Sequence, residues 1–490
     1  MNILLVEPRT PDTFWSLRHA LRYVGKRAAN PPLGLATVAG MLPQEWSYRL
    51  VDLNCSRLSD ADIRWADRVL VSAMQIHHDA VAEIVRRCHA LGKPVIGGGA
   101  LFTTDHDHNA GVDHVVVGEA EELAAALATD LETGQLAPVY QAPRYPDLAL
   151  TPLPRWDLVK LSRYATMSVQ SCRGCPFDCE FCDVVALNGR KPRTKSAKQF
   201  VAELEQLRGL DWQGPVFVVD DNFIGNRNRC VELLHAIIDW RRRTGTRMTF
   251  VTEASVNMAD DPELLELMIT AGFKKVFLGL ETPSAASLRE CRKLQNLRGD
   301  LADAVRRIQA AGLEVMGGFI VGFDSDEPDI FQRQFDFIQQ AGVVTAMVGV
   351  LQALPRSRLY QRLAKEGRLR DVGRGDNTSA FFNFEPLLDR EVLLENYRRL
   401  VKRLYEPGNY YRRIQTFLDT HPRRGPREKL TWRDIGAVFK SLWLMGVIHR
   451  GRRAYWRFLT TTLMRHPSQI GVAITLAIMG HHFRRVADVL

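Results

Sequence analysis

The stretch that decides the fold is Ala165-Thr-Met-Ser-Val-Gln170-Ser-Cys172-Arg-Gly174-Cys175-Pro-Phe-Asp-Cys179-Glu-Phe-Cys182. Residues 165–170 read as a β-strand, and three cysteines follow in a C-x3-C-x2-C spacing. Thiolates are soft ligands that suit iron–sulfur clusters and zinc. A structural zinc site takes four protein ligands, usually from two C-x2-C pairs, and these three thiols have no obvious distant partner pair. Three thiolates on a four-iron cluster leave one iron open to a substrate or cofactor. Cys172 is out of register with the motif and reads as a packed spectator thiol. Cys55, Cys88, Cys230 and Cys291 are scattered.

Outward from this stretch, strands are expected at 165–170, 215–220, 248–254, 275–281, 314–321 and 345–351. Helical patterns lie between them at 198–207, 230–242, 262–271, 301–311 and 328–341. Six β-α units at this spacing predict a barrel or partial barrel of parallel strands. Acids and glycines gather where the strands end: Val219-Asp220-Asp221-Asn222, Thr252-Glu253-Ala254-Ser255, Phe277-Leu-Gly279-Leu-Glu281 and Gly318-Phe-Ile320-Val-Gly322. That carboxyl face is where barrel active sites belong.

Before it, strands at 2–6, 48–53, 68–73, 94–97 and 114–117 alternate with helices such as 79–91 and 119–131. This predicts a doubly wound, Rossmann-like α/β domain that binds ligands at its strand ends. Pro143, Pro146, Pro152 and Pro154 mark a linker. From about residue 384 the pattern is helical. The expected organisation is an α/β domain over 1–140, a linker over 141–160, a partial (β/α)6 barrel over 161–385 and a mostly helical domain over 386–490.

The chain has 490 residues, 46% hydrophobic and 25% charged. These values exclude a disordered, collagenous or disulfide-scaffold protein and call for several domains. The net charge of +9 is uneven. Residues 401–490 hold 17 Lys and Arg against 5 Asp and Glu, whereas residues 1–400 hold 48 against 51. The apolar start, residues 1–6, ends at Glu7-Pro8 without a basic leader, so a cytoplasmic location is expected. No apolar run reaches the roughly 18 residues that span a bilayer. The nearest is 470–480.

The cysteine spacing, with Phe181 before the last cysteine, resembles the radical S-adenosylmethionine (SAM) superfamily. The resemblance implies that Cys175, Cys179 and Cys182 hold a 4Fe–4S cluster whose open iron chelates SAM. It also implies reductive cleavage of SAM to a 5′-deoxyadenosyl radical that abstracts hydrogen from a substrate. Phe181, Asp220, Glu253, Glu281, Gly318, Ile320 and Gly322 are the implied SAM contacts. Glu281 and Glu253 are the acids expected to accept from the SAM ammonium or ribose hydroxyls.

The α/β domain resembles that of the cobalamin-dependent subclass. The carrying segments are Asn30-Pro-Pro-Leu-Gly34, Leu50-Val-Asp52-Leu-Asn54, Gly97-Gly-Gly99-Ala-Leu-Phe-Thr103 and Gly118-Glu119-Ala-Glu-Glu122. Gly98, Gly99, Thr103, Gly118 and Glu119 are the implied cobalamin neighbours. The D-x-H-x-x-G motif of many cobalamin proteins is absent: with His108 as the ligand, the Asp position holds His106. Radical SAM relatives commonly lack that motif. His77, His78, His106 and His108 read as surface or loop histidines. A tRNA methylthiotransferase would need three cysteines in this domain, which has Cys55 and Cys88 alone.

Nearly the whole chain resembles the cobalamin-binding radical SAM group that includes hopanoid C-methylases and anaerobic tetrapyrrole ring enzymes. The C-terminal part is similar to a domain of uncharacterised role. The implied activity is methylation of an unactivated carbon of a lipid or other apolar metabolite, with an external one-electron donor of flavodoxin or ferredoxin type. A non-methylating cyclisation, oxidation or coupling is the alternative, and a non-catalytic cobalamin or redox sensor is the alternative of another class. The basic tail reads as a helical cap with a solvated rim, or as a peripheral contact with an anionic membrane on the inner face of the cytoplasmic membrane. Nucleic acid is not expected, because no binding module accompanies the charge.

Overall fold

The computed structural model describes residues 1–104, 110–373, 375–376, 378–422, 424 and 432–490, with the backbone alone for Trp432 and Arg433. Strands β1 (Asn2–Glu7), β2 (Ser47–Asp52), β3 (Arg68–Ser72), β4 (Val95–Gly98), β5 (His114–Val117) and β6 (Val139–Gln141) pair in parallel, in the order β2-β1-β3-β4-β5-β6. Parallel strands need helical crossovers, which cover both faces and bury both sides of each central strand. Accordingly Leu4, Val6 and Val71 pack with Val81 and Phe102 on one face, and Ile3, Leu5 and Leu70 pack with Leu35 and Leu131 on the other. Strand order reverses between β1 and β3, which opens a crevice at their carboxyl ends.

The second sheet contains β7 (Met167–Val169), β10 (Val216–Val218), β11 (Phe250–Ala254), β12 (Phe273–Glu281), β13 (Glu314–Val321) and β14 (Ala346–Val350), in the order β14-β13-β12-β11-β10-β7. A short antiparallel ribbon, β8 (Cys172–Arg173) with β9 (Arg193–Thr194), stands beside it. Each long strand pairs in parallel with the next across a helix: Ala197–Gly209, Arg227–Thr244, Pro262–Ala271, Leu301–Ala311 and Ile330–Gln340. Local sequence starts these helices. Asp261 accepts from Leu264 N–H at 3.1 Å and Asp300 from Asp303 N–H at 2.7 Å. β7 and β14 are the free edges, so the six strands form a partial barrel. On β12, Val276, Leu278 and Leu280 are fully buried beneath the helices. By strand alternation Phe277 and Gly279 face the lumen.

The C-terminal helices Arg390–Tyr405, Pro407–Thr420, Trp432–Trp443, Arg452–Arg465 and Ile470–Ala487 share one continuous core with the barrel. Tyr397 donates its hydroxyl to Val348 O at 3.1 Å. Arg413, fully buried, donates to Val344 O at 3.2 Å and Leu404 O at 3.1 Å. This domain caps the β14 edge. Phe483 also stacks on Phe14 of the N-terminal domain at 4.1 Å. Among the described residues no helix is long and apolar enough to cross a membrane.

Candidate active site at the cysteine loop

Two neighbouring acids at the end of β10 hold the cysteine loop. Asp220 accepts from Ser171 N–H at 2.7 Å, Cys172 N–H at 2.9 Å and the Ser171 hydroxyl. Asp221 accepts from Gly174 N–H at 2.7 Å and Asn188 Nδ2 at 2.9 Å. Burial pushes the Asp220 carboxyl up to about 7. Asp220 is therefore a loop anchor: it is fully buried and both its oxygens are engaged by the loop, not by the open cleft. Cys172 sits buried in β8, opposite Thr194 and apart from the motif.

Cys175, Cys179 and Cys182 are free thiols. Asn222 Nδ2 lies 3.9 Å from Cys175 Sγ, and Gln295 Nε2 lies 3.8 Å from Cys179 Sγ. Burial raises all three thiol pKa values, and Lys293 opposes that rise at each of them. The Lys293 ammonium pairs with Glu281 at 2.9 Å and lies 5.9 Å from the Phe181 ring centroid. Three thiols on one loop, two amide donors at sulfur and a buried cation form a donor set that fits an anionic, thiolate-held iron–sulfur cluster. Among the described residues no three Cys, His, Asp or Glu side chains converge as a single metal ion would require. Lys293 and Gln295 lie in a turn that carries no sequence pattern, whereas Asn222 lies inside the strand-end motif Val219-Asp220-Asp221-Asn222.

The remaining strand-end residues face this loop. β12 is bulged against β13 between Gly279 and Glu281, and Glu281 has a left-handed φ of 61°. Gln334 and Asn296 hold that turn by donating to Glu281 O at 2.9 Å and Leu280 O at 3.0 Å. Glu253 is half-buried and makes no side-chain hydrogen bond or ion pair among the described residues. Removal from water, then Asp221 and Asp220, push its carboxyl up to about 7. The Gly322 N–H donates to Asp326 at 2.8 Å. Its φ is +101°, and a Cβ there would meet the Phe382 ring at 2.6 Å. Register sets Glu253, Phe277 and Met316 side by side, with Gly318 opposite Met347 and Ile320 further along β13. Trp15 roofs this lumen: its indole N–H donates to Met347 Sδ at 2.9 Å, and its ring stands edge-on to Phe277 at 5.2 Å.

At the first sheet, the Thr103 hydroxyl donates to Gly99 O at 2.9 Å and accepts from Gly118 N–H at 2.9 Å. This ties together the ends of β4 and β5. A Cβ on Gly118 would meet nothing within 4 Å, and one on Gly98 would meet only Val116 at 3.9 Å. Bare, open backbone at this edge fits the approach of a broad planar macrocycle. Glu119 points elsewhere: its carboxylate pairs with Arg173 and Arg193 of the ribbon, beside Glu121 at 2.8 Å from Arg173. His77 corrects the expectation of a surface histidine. It is buried, within hydrogen-bond distance of the Thr10 hydroxyl at 3.1 Å and Met74 N at 3.3 Å, and burial lowers its pKa to about 4. His78 is half-exposed and pairs with Asp79. His106 and His108 lie outside the described residues.

Comparison with known proteins agrees with this geometry. Residues 27–128 match the B12 binding domain, residues 169–338 the radical SAM superfamily, and residues 357–490 a domain of unknown function. An uncharacterized methyltransferase of Synechocystis is 39% identical over 100% of this chain and 92% of its own. The hopanoid C-2 methylase of Rhodopseudomonas palustris is 33% identical over 98% of this chain and 92% of its own. Among solved structures, the radical SAM methyltransferase TsrM of Kitasatospora setae, with cobalamin and a 4Fe–4S cluster bound, has TM-score 0.62 at 14% identity, covering 100% of both chains. The cobalamin-dependent radical SAM enzyme OxsB, with aqua-cobalamin and SAM bound, has TM-score 0.61 at 14% identity, covering 100% of this chain and 80% of its own. The chain belongs to the cobalamin-binding radical SAM methyltransferase family, enzymes whose cofactors are a 4Fe–4S cluster, SAM and cobalamin.

Proposed function

We propose that this enzyme methylates an unactivated carbon of a lipid or other apolar metabolite. The observation that carries the reading is the lumen beside the cysteine loop. Phe277, Met316, Met347 and Trp15 line or roof it, and Glu253 is its unpartnered acid. When bound, the cofactors supply the electron that opens SAM and the carrier of the methyl group. The protein's part is to hold, orient and exclude water. Cys175, Cys179 and Cys182 hold the cluster, with Asn222, Gln295 and Lys293 around its sulfurs. Phe181, Gly318, Ile320 and Gly322 shape the SAM cleft, and Glu253 and Glu281 accept from its polar groups. Gly98, Gly99, Thr103 and Gly118 face cobalamin, whereas Glu119 fastens that domain to the barrel. The electron comes from an external flavodoxin- or ferredoxin-type donor. The site of action is the cytoplasm, with the basic C-terminal domain against the membrane.

The test is anaerobic reconstitution with iron, sulfide and cobalamin, then incubation with methyl-labelled SAM and a lipid extract of the source organism. Label should enter an apolar product together with 5′-deoxyadenosine. Ala at Cys175, Cys179 and Cys182 should abolish SAM cleavage. Full cleavage by that triple variant would sink the site assignment, and 5′-deoxyadenosine without labelled product would favour a non-methylating reaction.

A further inference from the structure

Helix Trp432–Trp443 runs into the π-helical turn Leu444–Ile448, and the chain then reverses into helix Arg452–Arg465. Ala437, Ser441 and Met445 face the core. Ile435, Phe439, Trp443 and Val447 follow at intervals of four, which places them along one side of the helix. With Ile448 and Trp456 they are each between 38% and 68% exposed. The Trp456 indole N–H donates to Gly446 O at 2.9 Å, which closes the hairpin and places this ring beside its tip. A run of large apolar side chains left in water marks a contact surface.

Charge selects the occupant. Residues 435–465 contain six Lys or Arg and no Asp or Glu. Lys440, Arg450, Arg452, Arg453 and Arg457 are all exposed around the apolar stripe. A second copy meeting this face would set like charges together, whereas anionic lipid headgroups complement them and the acyl boundary takes the aromatic and aliphatic groups. We infer that this hairpin is the membrane-docking face of the enzyme, seated on an anionic bilayer with Phe439, Trp443, Val447 and Ile448 inserted.

The same hairpin touches the N-terminal segment that roofs the lumen. Lys440 Nζ donates to Tyr23 O at 3.3 Å, on the segment that also carries Trp15. Phe483 of the C-terminal domain stacks on Phe14, the neighbour of Trp15. The inference deepens the apolar-substrate reading by naming the surface from which such a substrate arrives.

Flotation of the reconstituted full-length enzyme tests it, with vesicles of phosphatidylcholine alone and of phosphatidylcholine with phosphatidylglycerol. The protein should float with the anionic vesicles and stay down with the neutral ones. F439S/W443S should cut flotation at least tenfold while its melting temperature and circular dichroism match wild type. SAM cleavage by this variant in detergent should also match wild type, which separates docking from the catalytic reading. Equal flotation of the two proteins, or a wild type that ignores anionic vesicles, would overturn the inference. So would a wild-type dimer that the double variant converts to monomer without any vesicle binding.

Discussion

At the residue scale, Glu253 sets a pH dependence whose sign can be worked out. Its carboxyl is pushed up to about 7, above the ordinary value near 4.3 in an unfolded chain. The folded protein therefore holds this proton after the unfolded chain has lost it. Stability falls as pH rises from about 4.5 through 7 and levels off above. The whole shift corresponds to about 3 kcal/mol. Glu253→Gln removes the titration, so its melting temperature should decline less than wild type between pH 5 and 8, measured by calorimetry. An unchanged slope would leave Asp220, also raised to about 7, as the source. If the charged carboxylate accepts from SAM, wild-type binding of S-adenosylhomocysteine should tighten across the same interval, and the variant should lose that trend. At this scale the cysteines were legible because a ligand loop is written in consecutive sequence. Asp220 was legible as a residue but not in its direction, since only the fold shows that Ser171 and Cys172 engage its oxygens. Lys293 and Gln295 were not legible, because they reach the thiols from a separate turn.

At the element scale, helix Arg358–Lys365 acts as a strap on the cysteine loop. Ser357 caps it by accepting from Tyr360 N–H at 3.1 Å, and Leu359 N–H donates to Glu180 O at 2.8 Å. Arg358 reaches Asp178 at 2.7 Å, and Arg362 forks between Glu180 at 2.7 Å and Asp324 at 2.9 Å. Asp178 and Glu180 flank Cys179, so the strap grips the loop on both sides of one thiol. Arg362→Ala leaves the largely buried Glu180 without its cation, while Asp324 keeps Arg368 at 2.6 Å, a loss of about 1–3 kcal/mol. The variant should melt lower and release iron to a chelator several-fold faster, read by the decay of cluster absorbance. Arg362→Lys should recover only part of this, because an ammonium cannot fork across two carboxylates. Iron release at the wild-type rate from the Ala variant would remove the strap from the account. The β-α alternation that builds both sheets was readable because each unit repeats a long apolar pattern. β6 and the β8–β9 ribbon were not, since Val139–Gln141 has one buried side chain between two exposed ones and the ribbon strands are two residues each, so neither carries the apolar run that marks the equally short β7 and β10.

At the scale of the whole molecule, the three parts are fastened by buried polar links as well as by a shared core. Glu119 and Glu121 of the first domain meet Arg173 and Arg193 of the ribbon, and Tyr164 donates to Asp52 at 2.8 Å. The charge split between residues 1–400 and 401–490 was legible in composition. Composition could not show that the basic part has two faces, one packed on the barrel and one in solvent. The packed face decides what truncation does. Arg413 donates to Val344 O, Tyr405 donates its hydroxyl to Ala346 O, and Phe483 lies on Phe14. Removing residues 401–490 leaves Tyr397 on Val348 but uncovers the Ala346 end of β14 and Phe14, and strips apolar side chains from the largest core cluster. Each large side chain so exposed forfeits about 1.5–3 kcal/mol, against a total stability of only about 5–15 kcal/mol for a typical domain. The fragment 1–400 should therefore be insoluble on expression, or bind a hydrophobic dye and melt without a cooperative transition. A soluble, cooperatively melting fragment that still assembles its cluster would show that the C-terminal helices are an independent appendage. The two faces thus call for different tools: truncation reads the packed one, and only surface substitutions such as F439S/W443S can read the other.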